Sequence, residues 1–205
     1  MLSEFQKRRK LGHSQFGTAL SMQEAWFHKG RRLLRAAMVL LEQLWENKKL
    51  AAPLLVNGRF FPADDPDSEI VERSLLEAET SLLAAYAFEN FLKGIWVAQN
   101  PEKVKSQVLP KELRENSHDL VRLCADVGIV LTDSEKRTFA TLSEFAIWRG
   151  RYPIALTANQ NADSWEKTTN LTFVSSKYPG KVEWPDDIQN VWGKIADKAG
   201  FKKSI

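Results

Sequence analysis

The most apolar stretch of the chain is Leu82–Val97, in which only Glu89, Asn90 and Lys93 are strongly polar. At about 100° per residue, these three residues and Tyr86 share one strip roughly 100° wide, and apolar or small residues fill the other sides. A helix of this kind is normally buried by several neighbours. The pattern predicts the central helix of an all-α bundle, with Glu89 and Lys93, at i and i+4, as an internal ion pair.

Helical periodicity also predicts helices on both sides of this stretch. The predicted helices are Ala19–Leu50, Asp67 or Ser68 to Gln99, His118–Val127, Thr132–Arg149 and Asp186–Ala199. Pro53 ends the first helix region, because proline lacks the N–H that the next turn needs. Ser117 and Gly128 are the expected cap and stop of the third helix, and Thr132 with Glu135 matches a capping box at the start of the fourth.

The segments between these helices predict shorter features. Leu54–Phe61, around the Asn57-Gly58 turn, predicts a short β-hairpin. Leu171–Val174 and Lys181–Trp184 predict a second extended pair, and Glu102–Glu115 predicts a charged linker. The expected organisation is a flexible basic arm at 1–18, an up-and-down bundle of four to five helices at 19–156, and an irregular C-terminal extension at 157–205 whose final helix packs on the bundle.

The net charge of +3 is unevenly distributed. Residues 1–50 carry ten Lys/Arg and four Asp/Glu, whereas residues 51–100 carry three Lys/Arg and eight Asp/Glu. His28, Arg32 and Arg35 recur at i, i+4 and i+7 on one side of the first helix. Two interpretations stay open: helix faces of opposite charge that attract each other across the bundle, or a basic surface that binds phosphates.

Targeting signals and common catalytic motifs do not occur in the sequence. No apolar run approaches the roughly 20 residues of a membrane span, and no apolar stretch follows the charges of the first ten residues. The single cysteine, Cys124, falls on an apolar helix face, which indicates a core residue. We therefore expect a cytoplasmic protein with no membrane contact.

The three histidines, at 13, 28 and 118, lie in separate predicted elements, so no zinc-type spacing exists. The sequence also contains no Walker-type glycine loop, dinucleotide fingerprint or G-x-S-x-G elbow. We therefore expect no metal, no cofactor and no catalytic residues of the common enzyme classes.

Three short motifs, in order and at plausible spacing, resemble those of HEPN domains. Glu89–Lys93 matches the E-x-x-L-K of the family's second helix, and Ser117–Leu123 is similar to its H-x-L-x-x-L helix start. Arg151–Pro153 resembles the R-Y-P that closes the next helix. The resemblance covers about residues 70–155 and implies an α-helical bundle, frequently dimeric, so we expect a homodimer. Family members act in toxin–antitoxin pairs with nucleotidyltransferase partners, in phage defence and in RNA processing.

Catalytic members of the family cleave RNA with an Arg-x4–6-His motif near the final core helix. This chain departs from that pattern, because no histidine follows Arg149 and Arg151 at the matching position. Cleavage without a metal needs a group that moves the 2′-hydroxyl proton and a group that stabilises the phosphate charge. Either arginine can serve the second role, but no base accompanies them.

The sequence therefore favours a catalytically inactive HEPN-like module that binds RNA, a nucleotide or a partner protein in a prokaryotic toxin–antitoxin or defence setting. The expected binding residues are Arg149, Arg151 and Tyr152, helped by Arg32 and Arg35, since arginine beside an aromatic ring suits an unpaired nucleotide. Glu89, Lys93 and His118 are assigned a structural role.

Two alternatives stay open beside this hypothesis. One is a structural dimerisation module without a nucleic-acid role, which the near-neutral charge and the seven tryptophans favour. The other is a ribonuclease with unconventional residues, such as Glu89 with Arg149.

Overall fold

The computed structural model describes residues 22–55, 76–104, 110–115, 118–149 and 184–201. Six helices form this part of the chain. They are α1 Gln23–Leu55, α2 Glu77–Gln99, α3 Lys111–Glu115, α4 Leu120–Asp126, α5 Asp133–Glu144 and α6 Asp186–Ala199. A 3-10 turn, Pro101–Val104, follows α2, and a π-helical turn, Phe145–Arg149, continues α5. No strand occurs within the described ranges, so the predicted all-α class is confirmed at that level.

The apolar helix α2 lies at the centre of the fold. Fourteen of its 23 residues are buried, which requires neighbours on most sides. It packs along α1 and also contacts α4, α5, the π-helical turn and α6. No helix in the described ranges is both long and apolar enough to cross a membrane.

Glycines on both helices allow α1 and α2 to approach closely. A Cβ atom at Gly94 of α2 would lie 2.5 Å from Cε1 of Phe27 on α1. A Cβ atom at Gly30 of α1 would lie 3.1 Å from the Ala87 carbonyl oxygen of α2. Both distances are shorter than ordinary contacts, so the crossing depends on the absence of side chains at these two positions.

Aromatic rings join α6 and the residue after it to this central pair. The Phe91 ring of α2 lies edge-on to Trp192 of α6, with centroids 4.9 Å apart. Phe201, just beyond α6, packs edge-on against Phe27 at 4.6 Å. The final helix is therefore part of the same core as α1 and α2.

Several predicted boundaries differ from the observed ones. The backbone of α1 stays helical through Pro53 to Leu55, so the first helix was predicted too short. A proline this close to a helix end removes only one of the last hydrogen bonds, and the helix can continue past it. Leu54 and Leu55, assigned to the hairpin, are thus helical. The rest of the hairpin lies outside the described residues.

The described part of α2 spans Glu77–Gln99, which covers 23 of the roughly 30 residues predicted for this helix. The predicted start at Asp67 or Ser68 lies outside the described residues. Asn100 ends α2 as expected, and its backbone N–H donates to the carbonyls of Trp96 and Val97.

The predicted linker after α2 contains structure. Within Glu102–Glu115, the 3-10 turn buries Val104 and the short helix α3 buries Leu113. A charged composition led to the linker assignment, but two apolar side chains suffice to dock a short segment on the core.

The start of α4 was also predicted wrongly. Asp119 is the N-cap, and its carboxylate accepts a hydrogen bond from the Arg122 backbone N–H at 2.9 Å. Aspartate caps as well as serine does, so sequence alone could not choose between two adjacent candidates. Ser117 lies outside the described residues. Gly128, with φ +74°, ends this segment as predicted.

The bounds of the last two helices agree well with prediction. The Thr132–Glu135 capping box forms with both of its hydrogen bonds. Helix α6 spans Asp186–Ala199, as the periodicity indicated, and Gly200 ends it with φ +73°. The second extended pair lies outside the described residues except for the buried Trp184. The N-terminal arm at 1–18 also lies outside them.

Candidate functional site

One face of α1 presents an exposed set of basic side chains. We call it the α1 basic face, and it consists of His28, Lys29, Arg31, Arg32 and Arg35, all exposed. No carboxylate occurs on α1 between Glu24 and Glu42, so the acidic residues of the helix lie only at the two ends of this face.

The core side of α1 explains why these residues face outward. Phe27, Leu34, Ala37, Leu41 and Leu44 are buried against the rest of the bundle. Residues at the intervening positions of the 3.6-residue period must then point to solvent. The arrangement places the basic side chains on one rigid helix, along about 10 Å of its axis.

Arg31, at the edge of this face, also contacts Phe201, which follows α6. Its guanidinium carbon lies 4.6 Å from the centroid of the Phe201 ring, a cation–π distance. The contact fixes the direction of this arginine. Arg32 and Arg35 have no hydrogen bond or ion pair among the described residues, so their guanidinium groups are available to an anion.

A second cluster of polar residues lies in the interior, on the polar strip of α2. Nζ of Lys93 donates to Oε1 of Glu89 at 2.5 Å, which is the ion pair that the i, i+4 spacing predicts. Both side chains are less than a tenth exposed. The Lys93 ammonium also lies 5.7 Å from the ring centroid of Trp26, on α1.

His118 joins this cluster from the residues ahead of α4. Its Nδ1 lies 2.9 Å from Oε2 of Glu89, and a third of its side chain is exposed. A carboxylate oxygen accepts hydrogen bonds, so the Nδ1–H of His118 donates to Glu89. The Tyr86 ring packs near the imidazole, with centroids 5.9 Å apart. We refer to Glu89, Lys93, His118 and Tyr86 as the polar cluster.

The polar cluster reaches the turn that bears Arg149. The Tyr86 hydroxyl donates to the Ala146 carbonyl at 3.3 Å, inside the π-helical turn. Arg149 is the last residue of that turn, and only its backbone belongs to the described part of the chain. Arg151 and Tyr152 lie outside the described part altogether. Single π-helical turns occur often at functional sites, so this end of α5 is a candidate part of a functional site.

Chemically, the polar cluster is suited to holding elements together. Glu89 is buried, so its carboxylate has no direct access to a substrate. The His118 side chain is a third exposed, and the hydrogen bond with Glu89 fixes the orientation of its ring. Among the described residues, no three His, Cys, Asp or Glu side chains are placed to hold a metal ion.

Two other ionisable groups are structural. Burial raises the pKa of the Cys124 thiol to about 12, so the thiol stays protonated and is no nucleophile. Burial alone would raise the pKa of Glu135, but hydrogen bonds from Lys194 and the Thr132 N–H outweigh it, and the pKa lies below its ordinary value. Lys194 is 2.6 Å from Oε2 of Glu135, which ties α6 to α5.

Sequence reasoning overlooked two members of these sites. Lys29 and Arg31 belong to the α1 basic face, and the signal available for them was the absence of acids between Glu24 and Glu42. His118 and Glu89 are 29 positions apart in the sequence, so no local sequence pattern predicts that they pair. The side chain of Arg149, the partner of Glu89 in the ribonuclease alternative, lies outside the described part of the chain.

No family model matched this chain, and neither did any curated protein or solved structure.

Proposed function

We propose that this chain is a HEPN-like helical module that binds single-stranded RNA through the α1 basic face and does not cleave it. The proposed setting is a prokaryotic toxin–antitoxin or defence system. Support for the family comes from the three motifs at Glu89–Lys93, Ser117–Leu123 and Arg151–Pro153. Support for the activity comes from the charge and exposure of α1.

The observation that carries the proposal is the acid-free, exposed basic face. Four Lys/Arg side chains and His28 lie on one helix between Glu24 and Glu42. Lysine and arginine side chains that bind the phosphates of a nucleic acid release the counterions held there. The affinity therefore depends on several such side chains lying close together without neighbouring carboxylates that neutralise them. A face of this kind on a rigid helix meets that requirement, although the whole chain carries only +3.

A second basic element would extend the contact. Arg149 and Arg151, with the adjacent Tyr152, are proposed to bind a phosphate and stack on an unpaired base. The hydrogen bond from the Tyr86 hydroxyl to the Ala146 carbonyl ties the π-helical turn that ends at Arg149 to α2.

Binding without cleavage follows from the acid–base groups. The chain has no histidine in the Arg-x4–6-His position after Arg149 or Arg151. Glu89, the carboxylate of the unconventional alternative, is buried and already bonded to Lys93 and His118. We expect purified protein to leave a mixed RNA pool intact at concentrations that saturate binding. Protein-dependent cleavage products would favour the ribonuclease alternative.

The test of binding is the salt dependence of RNA affinity. We expect wild-type affinity for a labelled single-stranded RNA, measured by fluorescence anisotropy, to fall steeply as salt rises. In Arg32→Ala/Arg35→Ala, the slope of log affinity against log salt should fall by about 1.4, because each lost phosphate contact removes about 0.7. Arg149→Ala/Arg151→Ala should act in the same direction.

The matched control is Arg122→Ala/Arg137→Ala, which removes the same charge from exposed arginines on α4 and α5. Its slope should equal that of the wild type. Equal losses in the control and in Arg32→Ala/Arg35→Ala would mean that only net charge matters, and the α1 basic face would not be a site. Unchanged RNA affinity in Arg149→Ala/Arg151→Ala would show that these two residues are not part of the RNA-binding site.

The second candidate function is an interaction module without a nucleic-acid role. Val39 and Leu50, on the same side of α1, are 54% and 58% exposed, and exposed apolar side chains on one helix face suit a protein contact. A complete lack of RNA binding at low salt, together with stable self-association, would favour this function.

A further inference from the structure

Within the described part of the chain, Arg31 is the one side chain of the α1 basic face that lies over an aromatic ring. Its guanidinium carbon is 4.6 Å from the centroid of Phe201, and its N–H groups make no hydrogen bond or ion pair to the described residues. The ring holds the guanidinium in place without using any of its five donors. Arg31 therefore combines a fixed position with free donors, whereas Arg32 and Arg35 have no such support.

The Phe201 ring is itself held by three rings of the core. It lies edge-on to Phe27 at a centroid distance of 4.6 Å and edge-on to Phe91 at 6.0 Å. It also stacks with Trp192, with centroids 6.4 Å apart and an angle of 25° between the planes. All three neighbouring rings are buried, so Phe201 has little room to move. A ligand that binds Arg31 in this position therefore meets a group that is already ordered, which reduces the entropy cost of binding.

The other side of the Arg31 guanidinium is open to a ligand. The side chain is exposed, so the guanidinium is accessible to solvent on the side away from the Phe201 ring. A guanidinium group is planar and stacks on aromatic systems, and unpaired RNA bases stack on arginine planes as well as on aromatic rings. A base on this side would form the third layer of a stack in which Phe201 is the first and Arg31 the second. The donors on the rim of the guanidinium would stay free for a phosphate.

The helical neighbours of Arg31 are groups that can bind the phosphates next to a stacked base. His28 precedes Arg31 by three residues and Arg35 follows it by four, and both are exposed. Residues at these spacings are neighbours on a helix surface, with Cβ atoms about 5–6 Å apart. Arg32 lies about 100° further around the helix, away from this line. One base position is therefore flanked along the helix by two groups that suit phosphate.

We infer that Arg31 and Phe201 form a base-stacking subsite of the α1 basic face, and that this subsite makes the face selective for RNA segments with unpaired bases. The inference rests on the proposed function, because the phosphate contacts of the same face supply the rest of the affinity. In a duplex, both faces of a base are covered by its neighbours in the stack, so a duplex offers phosphates to this face but no free base. The α1 basic face therefore reads the absence of pairing as well as charge.

The test compares two labelled probes of equal length and charge in the full-length chain, by fluorescence anisotropy at low salt. One probe is a single-stranded oligoadenylate, and the other is the same backbone with every base removed. Wild-type protein should bind the oligoadenylate about fivefold more tightly or better, the lower end of the effect of one stacked base. Arg31→Lys keeps the charge but has no planar group, so it should bind the two probes with nearly equal affinity. Phe201→Leu, which removes the supporting ring, should reduce the preference as well.

The matched control is Arg32→Lys, the same substitution at a basic position of α1 that has no described ring contact. Whatever its overall affinity, its preference for the oligoadenylate should equal that of the wild type. Arg31→Lys should keep the wild-type salt dependence for the base-free probe, because the charge is unchanged. It should also bind a blunt RNA duplex as the wild type does. Circular dichroism checks that Phe201→Leu is folded, and Arg31→Lys, at an exposed position, provides the test independently of it.

The outcomes separate this inference from the proposed function. Equal wild-type affinity for the two probes would overturn the inference and leave phosphate binding by the α1 basic face intact. A wild-type preference that persists in Arg31→Lys would also overturn it, because the base would then bind elsewhere. Equal loss of the preference in Arg31→Lys and Arg32→Lys would do the same, since the ring contact would not matter. Wild-type protein that binds neither probe at low salt would contradict the proposed function, and the inference with it.

Discussion

The Glu89 carboxylate contacts two basic side chains that belong to different parts of the fold. Lys93 is one turn further along α2, and His118 belongs to the segment ahead of α4. A buried carboxylate is costly to desolvate, and here both of its oxygens have a charged or hydrogen-bonding partner. The polar cluster therefore links the segment ahead of α4 to α2 at a defined register, and this link depends on Glu89, Lys93 and His118.

Removing only the carboxylate should be strongly destabilising. Glu89→Leu leaves the Lys93 ammonium buried without its counter-charge, and we expect the free energy of unfolding in urea to fall by about 3 kcal/mol or more. Glu89→Leu/Lys93→Met should recover most of this loss, since an apolar pair needs no compensation.

Glu79→Leu, the same change at an exposed position of α2, serves as the control and should cost less than about 1 kcal/mol. A Glu89→Leu variant as stable as this control would show that the polar cluster contributes nothing to stability.

Glu135 gives stability a dependence on pH. Its pKa is lower in the folded chain than in the unfolded chain, so its contribution is fully present above the unfolded pKa, about 4.3. The contribution is lost as the pH falls through the folded pKa. The free energy of unfolding of the wild type should exceed that of Glu135→Gln by a constant amount above about pH 5, and the difference should shrink at lower pH.

Urea unfolding at a series of pH values measures this difference, with Glu115→Gln, at an exposed position of α3, as the control. A difference between wild type and Glu135→Gln that grows as the pH falls would contradict the assignment, because it would require a raised pKa.

At the scale of the elements, the crossing of α1 over α2 depends on Gly94. A methyl group there would lie 2.5 Å and 2.7 Å from two carbons of the Phe27 ring. Phe27 is itself packed against Phe91 and Phe201, so the ring has little room to move away. The two helices would have to separate to admit the methyl group.

Gly94→Ala should therefore lower the free energy of unfolding by about 1–3 kcal/mol, the usual cost of overpacking a core. Gly193→Ala on α6 is the matched control, since its new Cβ would meet nothing within 4 Å. That change should raise the stability by up to about 1 kcal/mol through helix propensity. Thermal or urea unfolding of both variants compares them directly, and equal effects would contradict the close crossing.

Short sequence motifs correctly predicted those helix ends that are stabilised by residues only a few positions apart. The capping box at Thr132 and Glu135 and the left-handed Gly200 are complete within one turn of chain, so their sequence patterns were sufficient. The end of α1 and the start of α4 were not predictable in the same way. At Pro53 and Asp119, several local patterns were acceptable and the surrounding fold selected one.

At the scale of the whole molecule, α2 organises the described part of the chain, and α1 presents its charges to solvent. The core formed by Phe27, Phe91, Trp192 and Phe201 joins the two ends of the described chain around α2. This packing fixes which side of α1 is exposed. The RNA-binding proposal depends on that exposed side, which carries Arg32 and Arg35.

The sequence by itself determined the all-α class, the central position of the Leu82–Val97 stretch and the Glu89–Lys93 pair, because periodicity and i, i+4 spacing are local properties. Only the tertiary structure decided that His118 bonds to Glu89 and that Lys194 bonds to Glu135, contacts across 29 and 59 positions. Such contacts are set by how helices pack, and no spacing along the chain encodes them. The exposure of the α1 basic face follows from the same packing.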